Sequence, residues 1–203
     1  MAAEPARIVL VGAESTGKTT LARELTEHFR ARGGDWADTR WVPEYGREYT
    51  ELLLERQGAV AAEGEAASAE WTAVDFVRIA LEQQRREDAA AASTRSPVLF
   101  CDTDAFATQV WERRYLGPGS TAAFDALPVL PPRALYLLAD VHGVPFEQDG
   151  IRDGENLREA MQGWFVEELE ARREPWALVT GSREERLATS IRLVDEALAF
   201  ATD

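Results

Sequence analysis

The chain has 203 residues, 45% hydrophobic and 29% charged, a composition that suits a soluble globular protein long enough to bury a real core. Its formal net charge of −14 excludes a broad nucleic-acid surface, because phosphate backbones need a basic stripe, while a small anion can still bind where a pocket reverses the field. One cysteine excludes an intrachain disulfide, two histidines beside it exclude a structural zinc site, and no apolar run is long enough to span a bilayer, so a cytoplasmic protein without a membrane partner is expected.

In chain order, RIVLV at 7–11 reads as a strand buried on both faces. GAESTGKT at 12–19 follows and runs into a helix over about 18–32. There Leu21, Leu25, His28 and Phe29 recur at helical spacing, and Gly33 and Gly34 stop the helix. TRWVP at 39–43 gives the second strand, and a helix closed by Gly58 comes next. The small, polar stretch 59–70 reads as a mobile connection. An amphipathic helix over about 71–91 is expected to turn Val74, Val77, Ile79 and Leu81 to the core. SPVLFCDTD at 96–104 is a third buried strand that ends in acid; the lone Cys101 within it reads as an inert core thiol. A helix over 105–117 and a proline-containing loop over 118–132 lead to the fourth strand at 133–140. The polar, glycine-containing stretch 141–156, a helix, a fifth strand at 175–181 and a last helix complete the chain. Strands alternating with helices predict an α/β protein: three layers, α/β/α, around a parallel five-stranded sheet, as one domain over 1–203 with a small lid at about 141–156.

GAESTGKT fits G-x-x-x-x-G-K-[ST] in the strand-to-helix context that a phosphate-binding P-loop requires. Gly12 and Gly17 let the backbone curl so that successive N–H groups face a β-phosphate, and the helix N-terminus adds positive potential there. Lys18 is the only lysine in the chain, against 21 arginines. A compact ammonium on a flexible stem can bridge β- and γ-phosphate oxygens where a planar guanidinium is too bulky, which explains the exception. Thr19 would present its hydroxyl to Mg²⁺, and the nucleotide, expected to be ATP, would lie along Gly12, Glu14, Ser15, Thr16, Gly17, Lys18, Thr19 and Thr20. With no second lysine, the Asn-Lys-x-Asp type motif that reads guanine cannot be built; no LSGGQ signature occurs, and the chain is short for an AAA+ motor.

VLFCD at 98–102 has the apolar-then-acid form of a Walker B strand, placing Asp102 at the carboxyl end of the sheet near the metal. Asp104, two residues on, would face the same cleft if the chain stays extended. In WVPEYGRE, Glu44, Tyr45 and Arg47 lie just beyond the second strand. Glu44 could take the proton of an attacking hydroxyl, Arg47 could neutralise phosphate, and Tyr45 is the favoured ring, among Trp41, Tyr49, Trp71, Phe76 and Trp111, to stack on a flat substrate. Asp102 and Glu44 both remain candidates for the base. Arg152 and Arg158, in a segment with hinge glycines, could swing onto the transferring phosphoryl group as part of the lid and exclude water.

In this combination the chain resembles the nicotinamide-riboside kinase domain of the NadR-type proteins of NAD biosynthesis. The resemblance rests on GAESTGKTTLARELTEHF, WVPEYGREY, DF with IALEQ, CDTDAFATQVW, YLG and VPFEQDGIRD in this order, and it spans nearly the whole chain. The family's VPW reads VPF here, at Phe146, and its YARE reads YGRE, at Gly46. The resemblance implies a P-loop kinase that phosphorylates the ribose 5′-hydroxyl of nicotinamide riboside with ATP and Mg²⁺. The alternatives are a P-loop kinase for another nucleoside or small alcohol, and a nucleotide-dependent regulatory ATPase.

Overall fold

The computed structural model describes residues 4–59, 68–147, 149 and 154–200. Its sheet consists of β1 (Ala6–Val11), β2 (Arg40–Val42), β3 (Val98–Asp102), β4 (Leu135–Ala139) and β5 (Trp176–Val179), in the order β2-β3-β1-β4-β5, with every pairing parallel. The helices are α1 (Lys18–Arg30), α2 (Tyr45–Gln57), α3 (Ala73–Ser93), α4 (Ala105–Leu116), α5 (Ala122–Ala126), α6 (Arg158–Arg172) and α7 (Arg183–Phe200). The parallel five-stranded sheet and its flanking helices match the expectation. The short helix α5 and a 3-10 turn over Gly34–Asp38 were not foreseen.

Alternation along the buried strands divides the core in two. Val9, Val11, Leu99, Cys101, Tyr136 and Leu138 face α4 and α6, while Ile8, Leu10, Val98, Phe100 and Leu137 face α1 and α7. Cys101 is fully buried, and burial pushes its thiol well above the usual range, as an inert core residue requires.

The long helix α3 departs from the expected pattern. Val74 and Leu81 are exposed, at 55% and 46%, whereas Phe76, Ile79 and Ala80 are buried together with Gln83, Gln84 and Glu87. The polar side chains face inward because they meet buried charge. Arg133 donates to Glu87 at 2.8 Å, to Asp104 at 3.1 Å and to Gln84 at 3.2 Å. Arg7 lies 3.8 Å from Glu87 and 2.8 Å from Asp88. His28 likewise is exposed rather than packed, its ring edge-on to Phe29. The connection expected at 59–70 lies largely outside the described residues.

Candidate active site

β1 runs up the centre of the sheet, and the loop leaving it is built on backbone conformations that its sequence anticipates. Gly12 has φ 141°, and a Cβ there would sit 2.9 Å from the Ala139 carbonyl at the end of β4, so only glycine passes. Gly17 caps α1 in the left-handed region at φ 81°. The Lys18 Nζ, in a residue 7% exposed, donates to the Ala13 carbonyl at 2.7 Å, and the Thr16 hydroxyl donates to the same oxygen at 2.9 Å.

β3 pairs Asp102 with Leu10 and so delivers its carboxylate beside the start of α1. The Thr19 hydroxyl donates to Asp102 Oδ2 at 2.5 Å, while Asp102 Oδ1 is buried without a hydrogen-bond partner among the described residues. Burial pushes the Asp102 carboxyl up, against the pull of Lys18, the Thr19 hydrogen bond and Arg23. A hydroxyl and a carboxylate with an unmet lone pair form a donor set that fits a hard oxygen-seeking cation such as Mg²⁺.

A cavity of about 230 Å³ opens over these strand ends. Glu14, Ser15, Thr16, Gly17, Lys18, Thr19 and Thr20 line one side. Glu44, at the N-cap of α2, and Arg47 line another; Arg47 is paired with Asp149 at 2.8 Å. Burial pushes Glu44 up to about 7; Lys18 and Arg47 oppose the shift, and the nearby Asp102 and Glu14 charges reinforce it. The far side is aromatic: Trp71, Phe76, Trp111 and Tyr115 line it, with Trp71 centred 5.1 Å from Phe76 and 5.0 Å from Tyr115.

Several expected residues are placed elsewhere. The Tyr45 ring does not line the cavity but packs on Tyr49 at 5.9 Å and beneath the Arg86 guanidinium at 4.3 Å. Its main-chain N–H donates to Gln83 Oε1 at 2.9 Å, and the Gln83 amide donates onward to the Thr103 carbonyl at 3.5 Å and to Glu87 at 3.1 Å. Asp104 is not in the cleft. Thr103, at φ 64°, breaks the extended chain that would have put both acids on one side. Asp104 is fully buried, capping α4 through Ala107 N at 3.0 Å and accepting from Arg133 and, at 2.9 Å, from the Tyr136 hydroxyl. Asp104→Ala is therefore expected to destabilise by about 3–5 kcal/mol, the loss typical of one partner removed from a buried ion pair. Thermal unfolding should read this as a Tm drop of roughly 10 °C.

Of the stretch 141–156, expected to form a lid, Val144 and Glu147 line the cavity, and Ser15 Oγ accepts from the Glu147 N–H at 3.1 Å. Arg152 lies outside the described residues. Arg158 is held on main-chain carbonyls instead of reaching into the cavity. Tyr115 was missed, although its position four residues after Trp111 on one helix puts the two rings on a common face, centred 6.5 Å apart.

A parallel sheet in this order, with GxxxxGKT leaving its central strand and Thr19 hydrogen-bonded to an acid at the end of the adjacent strand, defines a P-loop NTPase of the α/β class. The model of the AAA domain family matches residues 7–186, and the chain belongs to that family. No curated protein matches it in sequence. Among solved structures, it is similar to NadR protein in complex with NR, with a TM-score of 0.73 and 20% identity, covering 97% of this chain and 52% of that one. NadR protein in complex with NAD and AMP-PNP follows at 0.69 and 19%, covering 96% and 50%. Thymidylate kinase from Ehrlichia chaffeensis matches at 0.66 and 12%, covering 95% and 100%. At these identities the likeness is one of fold, and the chain spans about half the length of the NadR chains it matches. Among the described residues, no helix is long and apolar enough to cross a membrane.

Proposed function

We propose that the protein is an ATP-dependent kinase that transfers a phosphoryl group to the ribose 5′-hydroxyl of nicotinamide riboside, giving nicotinamide mononucleotide. The observation that carries this reading is the meeting, in one cavity, of a phosphate loop, a carboxyl that titrates at about 7 and a wall of aromatic rings. The rings suit a flat base, and a pyridinium adds attraction between its charge and their faces. Glu14, Glu44 and Glu147 on the lining favour a cationic substrate further. The fold shared with a NadR protein in complex with NR supports the same choice.

In this reading the riboside O5′ attacks the γ-phosphorus and the bond to the bridging β–γ oxygen breaks. ADP leaves with that electron pair, and the hydroxyl proton passes to Glu44. Glu44 is preferred to Asp102 as base because it lines the cavity and titrates near neutrality, whereas Asp102 Oδ2 is engaged by Thr19. Lys18 stabilises the charge on the transferring group, and Arg47 contributes positive potential from α2. Thr19 and Asp102 would hold Mg²⁺, which when bound neutralises phosphate charge.

The test is incubation with Mg-ATP and a panel of ribosides, following ADP release and product mass. Turnover stimulated by nicotinamide riboside, with a phosphorylated pyridine product, is expected. Stimulation by a different nucleoside or alcohol alone would move the protein to another acceptor, and slow hydrolysis indifferent to acceptor would make it a regulatory ATPase.

A further inference from the structure

Two arginines far apart in sequence converge on the back of the phosphate loop. Arg158, at the start of α6, donates from Nη2 to the Ser15 carbonyl at 3.0 Å and to that of Val141 at 3.3 Å, and from Nη1 to that of Val144 at 3.0 Å. Arg186, in α7 and 6% exposed, donates from Nη1 to the Thr16 carbonyl at 3.3 Å and the Asp140 carbonyl at 3.0 Å. Its Nε reaches Gly181 at 2.8 Å and its Nη2 reaches His142 at 3.1 Å, again at carbonyl oxygens. Neither forms an ion pair among the described residues; the Asp140 carboxylate attracts Arg186 from a distance, and Arg158 repels it. A guanidinium drawn out of water normally takes a carboxylate, so a buried Arg186 and a half-buried Arg158 that spend all seven of these hydrogen bonds on main-chain oxygens call for a reason.

Peptide geometry supplies it. All described peptide bonds are trans, so the carbonyl of one residue and the N–H of the next point in opposite directions. Holding the Ser15 carbonyl behind the loop turns the Thr16 N–H forward, and holding the Thr16 carbonyl does the same for the Gly17 N–H. Successive N–H groups facing one way form an anion nest.

We propose that Arg158 and Arg186 are positioning residues of the phosphate site: they pin the Ser15 and Thr16 carbonyls so that the Thr16 and Gly17 N–H groups face the polyphosphate. The inference rests on the nucleotide-binding part of the proposed function. It goes beyond that reading in giving binding work to two side chains that do not line the cavity.

The experiment compares wild type with Arg158→Met, Arg186→Met and the two Arg→Lys variants. Mg-ATP affinity is measured by calorimetry, KM for both substrates by initial rates, and the Thr16 and Gly17 amide resonances by NMR. Each Met variant is expected to bind Mg-ATP at least roughly tenfold more weakly, about 1.4 kcal/mol, with the KM of the acceptor unchanged. Thr16 amide shifts should follow Arg158→Met and Gly17 amide shifts Arg186→Met. A general loss of packing would instead raise both KM values together and move resonances throughout the domain. The Lys variants keep the charge but cannot span the same carbonyls, and should fall between wild type and Met; if a Met variant fails to fold, its Lys counterpart decides by the same readouts. Unchanged Mg-ATP affinity in folded variants overturns this inference and leaves the kinase reading standing. A wild-type protein that does not bind Mg-ATP overturns both.

Discussion

Lys18→Ala is expected to lower phosphoryl transfer by roughly a thousandfold or more, the scale on which removing one charge-stabilising donor acts in such reactions. The effect should fall on turnover, because the ammonium meets charge that develops on the transferring group. The fold should persist. Lys18 contributes one hydrogen bond, to Ala13 O at 2.7 Å, and such a bond is worth about 1 kcal/mol net. Lys18→Arg sharpens the prediction. The residue is buried, in a loop whose Ala13 carbonyl also receives Thr16, and a bulky, planar guanidinium is a poor substitute for a compact ammonium there. Its activity should therefore lie close to that of Lys18→Ala even though the charge is kept. Initial rates of ADP release beside thermal melts test both variants, and a Lys18→Arg enzyme with near-normal turnover would refute the explanation given for the lone lysine.

Glu44→Gln is expected to cost about 10²- to 10⁴-fold in kcat, the range for losing a general base. It should also erase a feature of the wild-type profile. With the carboxyl at about 7, activity should fall as pH drops through neutrality, since the protonated acid cannot accept the hydroxyl proton. Stability carries the opposite sign. The unfolded chain releases the Glu44 proton near the ordinary 4.5, whereas the folded protein keeps it until about 7. Between those values the folded state binds more protons, so this group's contribution to stability declines as pH rises from 4.5 to 7 and stays at its deficit above. Glu44→Gln removes the deficit. Its Tm should exceed that of wild type at pH 8, by a few degrees, and the two should converge toward pH 4. A variant that melts below wild type at pH 8 would contradict the burial of charge inferred at this position.

The parts legible in the sequence are those set by short-range patterns. β1, Gly12, Gly17 and Lys18 form one contiguous string, and Asp102 is marked by the four apolar residues before it. What escaped depends on direction rather than composition. Asp102 and Asp104 look equivalent in DTD, and a single left-handed residue, Thr103, sends one to the phosphate site and the other into the core. The inward face of α3 was misread because Gln83, Gln84 and Glu87 look like a solvated stripe until Arg7 and Arg133, from distant segments, are brought against them. Tyr45 stands next to Glu44 in the sequence, but at the first turn of α2 its ring is carried toward Tyr49. Arg186 left no trace at all, and Arg158 reads from the sequence as a lid arginine instead of a support behind the loop, since the partners of both are main-chain oxygens, which every residue type offers equally.

The Gln83 carboxamide touches the peptide after Glu44 on one side and the peptide after Thr103, the residue next to Asp102, on the other. One side chain on α3 thus ties together the turns that follow the acid that would receive a proton and the acid that would anchor a cation. Small shifts of that helix would retune both acids in concert, and a lesion deep in the scaffold would register first as altered chemistry.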